Sequence, residues 1–506
     1  METIASSHLV NHLVTWTIVT PLIGLAIVGF LRHTEAVRWV TLGVSLLTFA
    51  LSVSLWAGYD NEAGGLQFVE RVRWMPTFNI QYAVGVDGIS LPLVILTTLL
   101  TPLCVLCSWR SIETNVKAFM ILILLVEGAM VGVFAALDAF LFFMLWEITM
   151  IPMYFMIALW GGPQRIHAAI KFVLFSLTGS LLLLMGILGL YLEGGYTFDI
   201  VALSQVEYSA KVQFWIFLAM FLAFAIKMPM LPFHTWLPDA HSEAPTAGSV
   251  ILAGVLLKMG GYGFLRFCVP MFPEASAAFA TPILWLSVLA ILYGGYMALA
   301  QSDIKRLVAY SSISHMGFVT LGIFVFNTQG IQGAVMQMFN HGLTTGALFL
   351  AVGQLYDRTH SRMISDYGGL HKLMPRFAVL LCIFSVASFG LPGTCNFIGE
   401  FLVLVGTSHR SFAMVLLAMG GILLAASYML WMLQRVALGP VSPQNADLPD
   451  LNRREMATVM PLALAIFVIG LYPTFMLDLM HVSVASLIQD MAQVQPLQFT
   501  EIFTWP

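Results

Sequence analysis

Apolar stretches of about 20 residues recur fourteen times along this chain, near 12–31, 37–57, 87–108, 115–136, 137–160, 167–192, 211–231, 244–267, 277–299, 304–325, 329–356, 374–407, 411–435 and 456–477. A run of that length crosses the hydrocarbon core of a bilayer as one helix. The sequence is 59% hydrophobic and 9% charged, whereas soluble domains are about a quarter charged. The expectation is an all-α polytopic membrane protein with about 14 transmembrane helices.

The basic residues orient these helices. With loops numbered from helix 1, odd loops hold fourteen Lys and Arg and even loops hold five. The positive-inside rule then makes odd loops cytoplasmic and puts both termini on the opposite side, the periplasm of a bacterium. The opening METIASSHLV lacks the basic segment and cleavage site of a secretory signal, so the first run reads as a permanent helix. A net charge of −4 without a basic patch gives no reason to expect nucleic acid. The cysteines, Cys104, Cys107, Cys268, Cys382 and Cys395, are scattered in apolar runs with no second C-x-x-C pair. All five read as core residues, and no metal site is expected.

Of the 22 basic residues, nineteen are assigned to loops at or beyond the helix ends, Lys305 and Arg266 among them, and three lie deeper inside predicted helices: Lys171, Lys227 and Lys258. Glu127, Glu147 and Glu400 are internal too. A charge at the bilayer centre costs about 2.5 kcal/mol or more, so it faces a partner or a watery cavity. Lys171 lies near a helix end and can snorkel to the interface. Glu127 can serve as a hydrogen-bonded cap for a neighbouring helix. Glu147, Lys227, Lys258 and Glu400 are too deep for snorkelling, and a buried ion pair is a weak source of stability. Buried lysine and glutamate can change protonation, and an opposite charge reverses the effect of desolvation. A Lys–Glu pair of variable separation is therefore a proton trap with two settings. Arginine would not serve, because it stays charged.

Proline marks two of these sites. Pro229 follows Lys227 and removes a backbone hydrogen bond, so helix 7 should break there. In "SFGLPGTCNFIGEF" (388–401) Pro392-Gly393 interrupts helix 12, and Glu400 follows two turns later. Broken helices near the midplane mark ion sites in transporters. The breaks lie five helices apart, and "FSLTGSLLLLMG" (175–186) aligns with "GLTTGALFLAVG" (342–353) at Thr178-Gly179 and Thr345-Gly346. These features predict two inverted five-helix repeats, helices 4–8 and 9–13. The chain then divides into 1–114 (helices 1–3), 115–270 (first repeat), 271–435 (second repeat) and 436–506 (a loop, helix 14 and the tail). "GGYGF" (260–264) reads as close helix packing.

Histidine titrates near neutrality and suits a relay. His234 lies in the broken segment, and His315 and His341 lie in helices 10 and 11 among serines and threonines. His241 and His360 read as ordinary loop residues.

"FFMLWEITMIPMYFMIALWGG", "IKMPMLPFHTWLPDAHSEAPTAGSVILAGVLLKMGGYGFLRF", "SDIKRLVAYSSISHMGF" and "LPGTCNFIGEF" closely resemble the subunit M, or chain 4, family of the proton-pumping NADH–quinone oxidoreductase, respiratory complex I. That family is related to cation/proton antiporter subunits. The resemblance covers nearly the whole chain and is densest over 138–435. It implies fourteen helices with inverted repeats. It also implies that Glu147 and Lys227 gate proton entry, that Lys258 is central, and that Glu400 leads toward the exit. His234 and His341 match connecting positions, with His315 joining them; Glu127 and Lys171 would be accessory. Glutamate at position 400, where related subunits usually carry lysine, marks the M branch.

The resemblance further implies neighbouring antiporter-like subunits L and N in a hetero-oligomer, and a bacterial cytoplasmic or mitochondrial inner membrane. FMN, iron–sulfur clusters and the quinone chamber would belong to other subunits, and none of these cofactors is expected here. The sequence shows no strand-flanked G-x-G-x-x-G, Walker loop or cysteine cluster. The rival readings are a sodium/proton antiporter subunit using the same residues, a haem protein using His315 and His341, and a passive scaffold.

Overall fold

The structure, a computed structural model, describes residues 12–442, 445, 447–491 and 497. The opening METIASSHLV and the C-terminal tail lie outside them. Among the described residues, twelve helices are long and apolar enough to cross a membrane. They are α1 (Leu13–Phe30), α2 (Thr34–Ala57), α3 (Ser90–Ser111), α4 (Val116–Ala135), α5 (Ala139–Trp160), α6 (Arg165–Glu193), α7a (Ala210–Lys227), α8 (Thr246–Met271), α9 (Pro273–Leu299), α10 (Ile304–Phe324), α13 (Phe412–Val436) and α14 (Arg453–Leu471).

Two further crossings complete the expected fourteen. Helix α11 (Thr328–Thr359) is less apolar than these twelve, with Gln, Asn, His and Thr along it, and every residue from Gly333 to Leu355 is buried. The other crossing is split into α12a (Pro375–Ser388) and α12b (Cys395–Ser408), each too short alone. Two inverted repeats, α4–α8 and α9–α13, follow, each with its fourth helix broken. The Thr-Gly pairs aligned in sequence pack differently, however. Gly179 faces Ala223 of α7a, whereas Gly346 faces Leu100 of α3 and Val250 of α8.

The two breaks share one mechanism. A proline lacks N–H, so the carbonyl four residues earlier loses its helical partner. In helix 7 the backbone N–H of Met230 reaches Ala225 O at 2.9 Å. That leaves Ile226 O, which accepts from Trp236 Nε1 at 2.9 Å. Trp236 begins α7b (Trp236–Glu243), so the helix ends before the predicted 231 and resumes beyond it. In helix 12 Ser388 O, orphaned by Pro392, accepts from Asn396 Nδ2 at 3.3 Å. Side chains from the second half of each broken helix thus satisfy its first half, as a medium without water requires.

Helix α8 runs between these breaks with π-helical turns at Leu252–Leu256 and Phe264–Cys268. The glycines of "GGYGF" do mark close packing. A Cβ on Gly260 would lie 2.8 Å from Phe224 O, and one on Gly263 2.4 Å from the Phe224 ring.

Three observations depart from the sequence reading. An antiparallel hairpin, β1 (Gln67–Met75) with β2 (Ile80–Val86), occupies loop 2 of a chain expected to be all helical. Its β-branched and aromatic residues favour strands, and Asn79 turns the chain at φ 55°. Asp138 anchors the hairpin: it caps α5 through the amides of Phe140 and Leu141 at 3.0 Å and accepts from Gln81 N at 3.0 Å. Predicted helix 14 ends at Leu471, and Pro473 precedes a new helix, α15 (Thr474–Met491). This helix lies along the even-loop face, where Gly88 N donates to Ser483 Oγ at 3.0 Å and Gln332 meets His481 at 3.3 Å. Cys382, expected in the core, is exposed on α12a beside lipid-facing Val379.

Candidate functional site

The deepest charged residues converge where α8, α10, α11 and α12b meet. Lys258 is fully buried. Its ammonium donates to the carbonyl of Ala253, inside the first π turn, and lies 2.8 Å from His341 Nδ1 on α11. The His341 and His315 rings lie side by side, tilted by 57°, with centroids 5.6 Å apart. His315 Nδ1 is 2.8 Å from Glu400 Oε1 on α12b. Glu400 is almost fully buried and also accepts from Gln337 Nε2 at 3.0 Å. Four of the predicted residues therefore form one line of titratable side chains, from the centre of the first repeat to the broken helix of the second.

The break in helix 12 shapes the far end of this line. Gly390 adopts φ 75°, and a Cβ there would stand 3.1 Å from Glu400 Oε2. Only glycine fits both the backbone and the carboxylate. Asn340 Nδ2 donates to Cys395 O at 2.7 Å, and Asn396 Nδ2 reaches Thr344 Oγ1 at 3.3 Å. Gln337, Asn340 and Asn396 were missed in the sequence; their signal was amides inside otherwise apolar runs.

The first pair is arranged otherwise. Lys227 sits almost fully buried at the end of α7a, 5.2 Å from the Trp146 ring centroid and 6.0 Å from that of Phe172. Such aromatic faces stabilise a cation. Glu147, in the N-terminal half of α5, is only half-buried, with one oxygen unpartnered. It acts on Lys227 through space without an ion-pair contact. The two residues that the sequence reading pairs therefore stand apart in this structure. His234 is separate again, with Nε2 3.2 Å from Tyr293 Oη on α9.

The accessory residues also settle into place. Lys171 pairs with Asp239 of α7b at 2.7 Å rather than snorkelling. Glu127 is fully buried and caps nothing, since neither oxygen has a hydrogen-bond partner. The neighbouring Thr101 hydroxyl donates instead to Thr97 O of its own helix at 2.9 Å. Two groups read as loop residues are buried: Lys305, in the first turn of α10, and His241, on α7b. Arg266, assigned to a loop, lies on α8 and pairs with Asp87 at 2.6 Å.

Inverted helical repeats, two broken helices and a buried amine–imidazole–carboxylate line define an ion-translocating membrane subunit of the antiporter-like class. The family described as the NADH:quinone oxidoreductase/Mrp antiporter transmembrane region matches residues 136–433, and the amino terminus of NADH-ubiquinone oxidoreductase chain 4 matches 16–132. NADH-quinone oxidoreductase subunit M of Rhodobacter capsulatus is 46% identical over 90% of each chain. Chain 4 of Marchantia polymorpha is 44% identical over 93% of this chain and 96% of its own length. A chain of respiratory complex I from Thermus thermophilus superimposes with a TM-score of 0.88 and 32% identity, over 95% of this chain and 100% of that one. A chain of the Mrp complex from Dietzia shares the fold alone, with a TM-score of 0.85 and 20% identity over 96% of this chain and 99% of that one. The chain belongs to the subunit M/chain 4 family of NADH–quinone oxidoreductase.

Proposed function

We propose that this chain, as a membrane-arm subunit of complex I, moves protons across the membrane through Glu147, Lys227, Lys258, His341, His315 and Glu400, with His234 as a side relay. NADH oxidation and quinone reduction in other subunits drive the movement, and FMN, iron–sulfur clusters and quinone belong to those subunits. The observation carrying this reading is the Lys258–His341–His315–Glu400 line, which joins the two repeats without a break wider than one ring-to-ring contact.

The energies are compatible. Moving one charge against 100 mV costs about 2.3 kcal/mol. A change of two pKa units at one group represents about 2.7 kcal/mol. A change of that size on closing and opening the Lys227–Glu147 pair would suffice to drive one proton.

Half-buried Glu147 supports neighbours of the same class, subunits L and N. A partly exposed carboxylate in a membrane span needs a covering partner, and an apolar groove of about 380 Å³ lies further along the same helix, lined by Ile151 and Phe155. In a bacterium the odd loops would face the cytoplasm and both termini the periplasm; in an organelle the membrane would be the mitochondrial inner one. A sodium/proton antiporter subunit is the alternative, favoured by the shared Mrp fold. Co-purification with iron–sulfur subunits separates the two.

The deciding experiment is Lys227→Ala and Glu147→Ala in the assembled complex, reconstituted in liposomes. NADH-driven pumping should fall at least tenfold. Full pumping by an assembled variant would remove these residues from the path.

A further inference from the structure

Arg266 lies toward the even-loop face, which is poor in basic residues, and only 16% of its side chain is exposed. Its Nη2 pairs with Asp87 Oδ2 at 2.6 Å, and its Nε donates to Tyr262 Oη at 3.0 Å. Tyr262 in turn donates to Phe134 O, near the end of α4, at 3.0 Å. The other oxygen of Asp87 caps α3, accepting from the amides of Ile89 and Ser90 at 3.1 and 2.8 Å. One arginine thus ties α8 to the even-loop ends of α3 and α4.

Stability alone is a weak reason for such a pair. A buried ion pair contributes little net stability, and its best-attested use is to fix register. Register matters in α8. Arg266 sits inside the second π turn, Phe264–Cys268, which begins six residues beyond Lys258. A π turn is rare, and it closes on i→i+5 rather than i→i+4 hydrogen bonds, so it holds about one residue more than an α turn. If it relaxed to α-helix, the two sides would turn relative to each other by one residue, about 100° at 3.6 residues per turn.

The segment beyond the π turn is held, because Cys268 O accepts from Ser276 Oγ of α9 at 2.8 Å. The turning would therefore fall on the part of α8 that carries Lys258. The contact at Gly260 sets how near α8 lies to α7a but, without a side chain, does not key its rotation. A turned α8 would take the Lys258 ammonium off His341 Nδ1, which it now meets at 2.8 Å.

We propose that Arg266, through its ion pair with Asp87, is a positioning residue that fixes the register of α8 and so holds Lys258 against His341. Its effect on pumping rests on the proton-carrying reading above; its effect on geometry does not.

The test is a cryo-electron microscopy structure of the assembled complex carrying Arg266→Gln, with NADH-driven acidification in liposomes as the second readout. Lys258 Nζ and His341 Nδ1 should separate beyond about 3.5 Å, past hydrogen-bond reach, as the second π turn relaxes. Pumping should fall roughly tenfold or more, since a misplacement of about 1 Å can cost about 100-fold. Arg266→Lys returns a cation to Asp87 and should recover most of that loss. A Lys258 that has not moved in Arg266→Gln overturns the proposal, and so does a lysine variant that pumps no better than the glutamine one. If Arg266→Gln does not assemble, Asp87→Asn decides by the same two readouts, because its amide oxygen keeps the cap on α3 and only the charge is lost. Lys258→Ala separates the two layers. Normal pumping there removes the proton-carrying reading, while the measured Lys258–His341 distance still judges the register.

Discussion

His315 and Glu400 meet at 2.8 Å, joining α10 to the second half of broken helix 12. The same oxygen of Glu400 accepts from Gln337 of α11, so three helices close on one carboxylate. On the proposed path, that geometry makes Glu400 the group that follows His315.

Removing either partner should cut the line. Glu400→Gln and His315→Ala are each expected to lower NADH-driven pumping about tenfold or more while the complex still assembles. Glu400→Asp, one methylene shorter, should fall between them and the wild type. Proteoliposome acidification with a native gel for assembly gives the answer; a fully pumping Glu400→Gln would sink the assignment.

Gly390 should tolerate no side chain. Alanine there would adopt a left-handed φ and press on Glu400 Oε2, a strain of about 1–3 kcal/mol. The expected result for Gly390→Ala is a lower melting temperature and slower pumping together. Unchanged values for both would show that the break yields easily.

Asp138→Asn separates capping from hairpin anchoring. The amide oxygen can still accept from Phe140 and Leu141, but its NH2 would face the Gln81 N–H that the second carboxylate oxygen now binds. Leaving that donor unsatisfied costs about 1–3 kcal/mol. Faster amide exchange confined to Gln67–Val86 is the expected outcome; uniform protection would mean that the strands dock by other contacts.

The crossings, both breaks and the deep charges Lys227, Lys258 and Glu400 were legible because each contradicts its surroundings: length in an oil-like run, proline in a helix, lysine among leucines; Glu147, expected to be as deep, is only half-buried. His241 and Lys305 were not. His241 follows three prolines and Lys305 adjoins Asp303 and Arg306, so both read as loop, although tertiary packing closes over them. Gln337 and Asn396 were overlooked because one amide barely disturbs an apolar pattern. The hairpin and α15 fell in segments judged only for membrane crossing. The separation of Glu147 from Lys227 is a matter of side-chain geometry between helices, which spacing along a chain does not encode.

Helix α11 has a consequence for biosynthesis. A segment centred on "MQMFNHGLTT" gains little from lipid by itself, yet it lies wholly inside the finished bundle. It should leave the insertion machinery only in the company of neighbours that already satisfy its amides and imidazole. A nascent chain halted at Thr359 should therefore slip back, and protease mapping of such arrested chains would find α11 on the side where it was made.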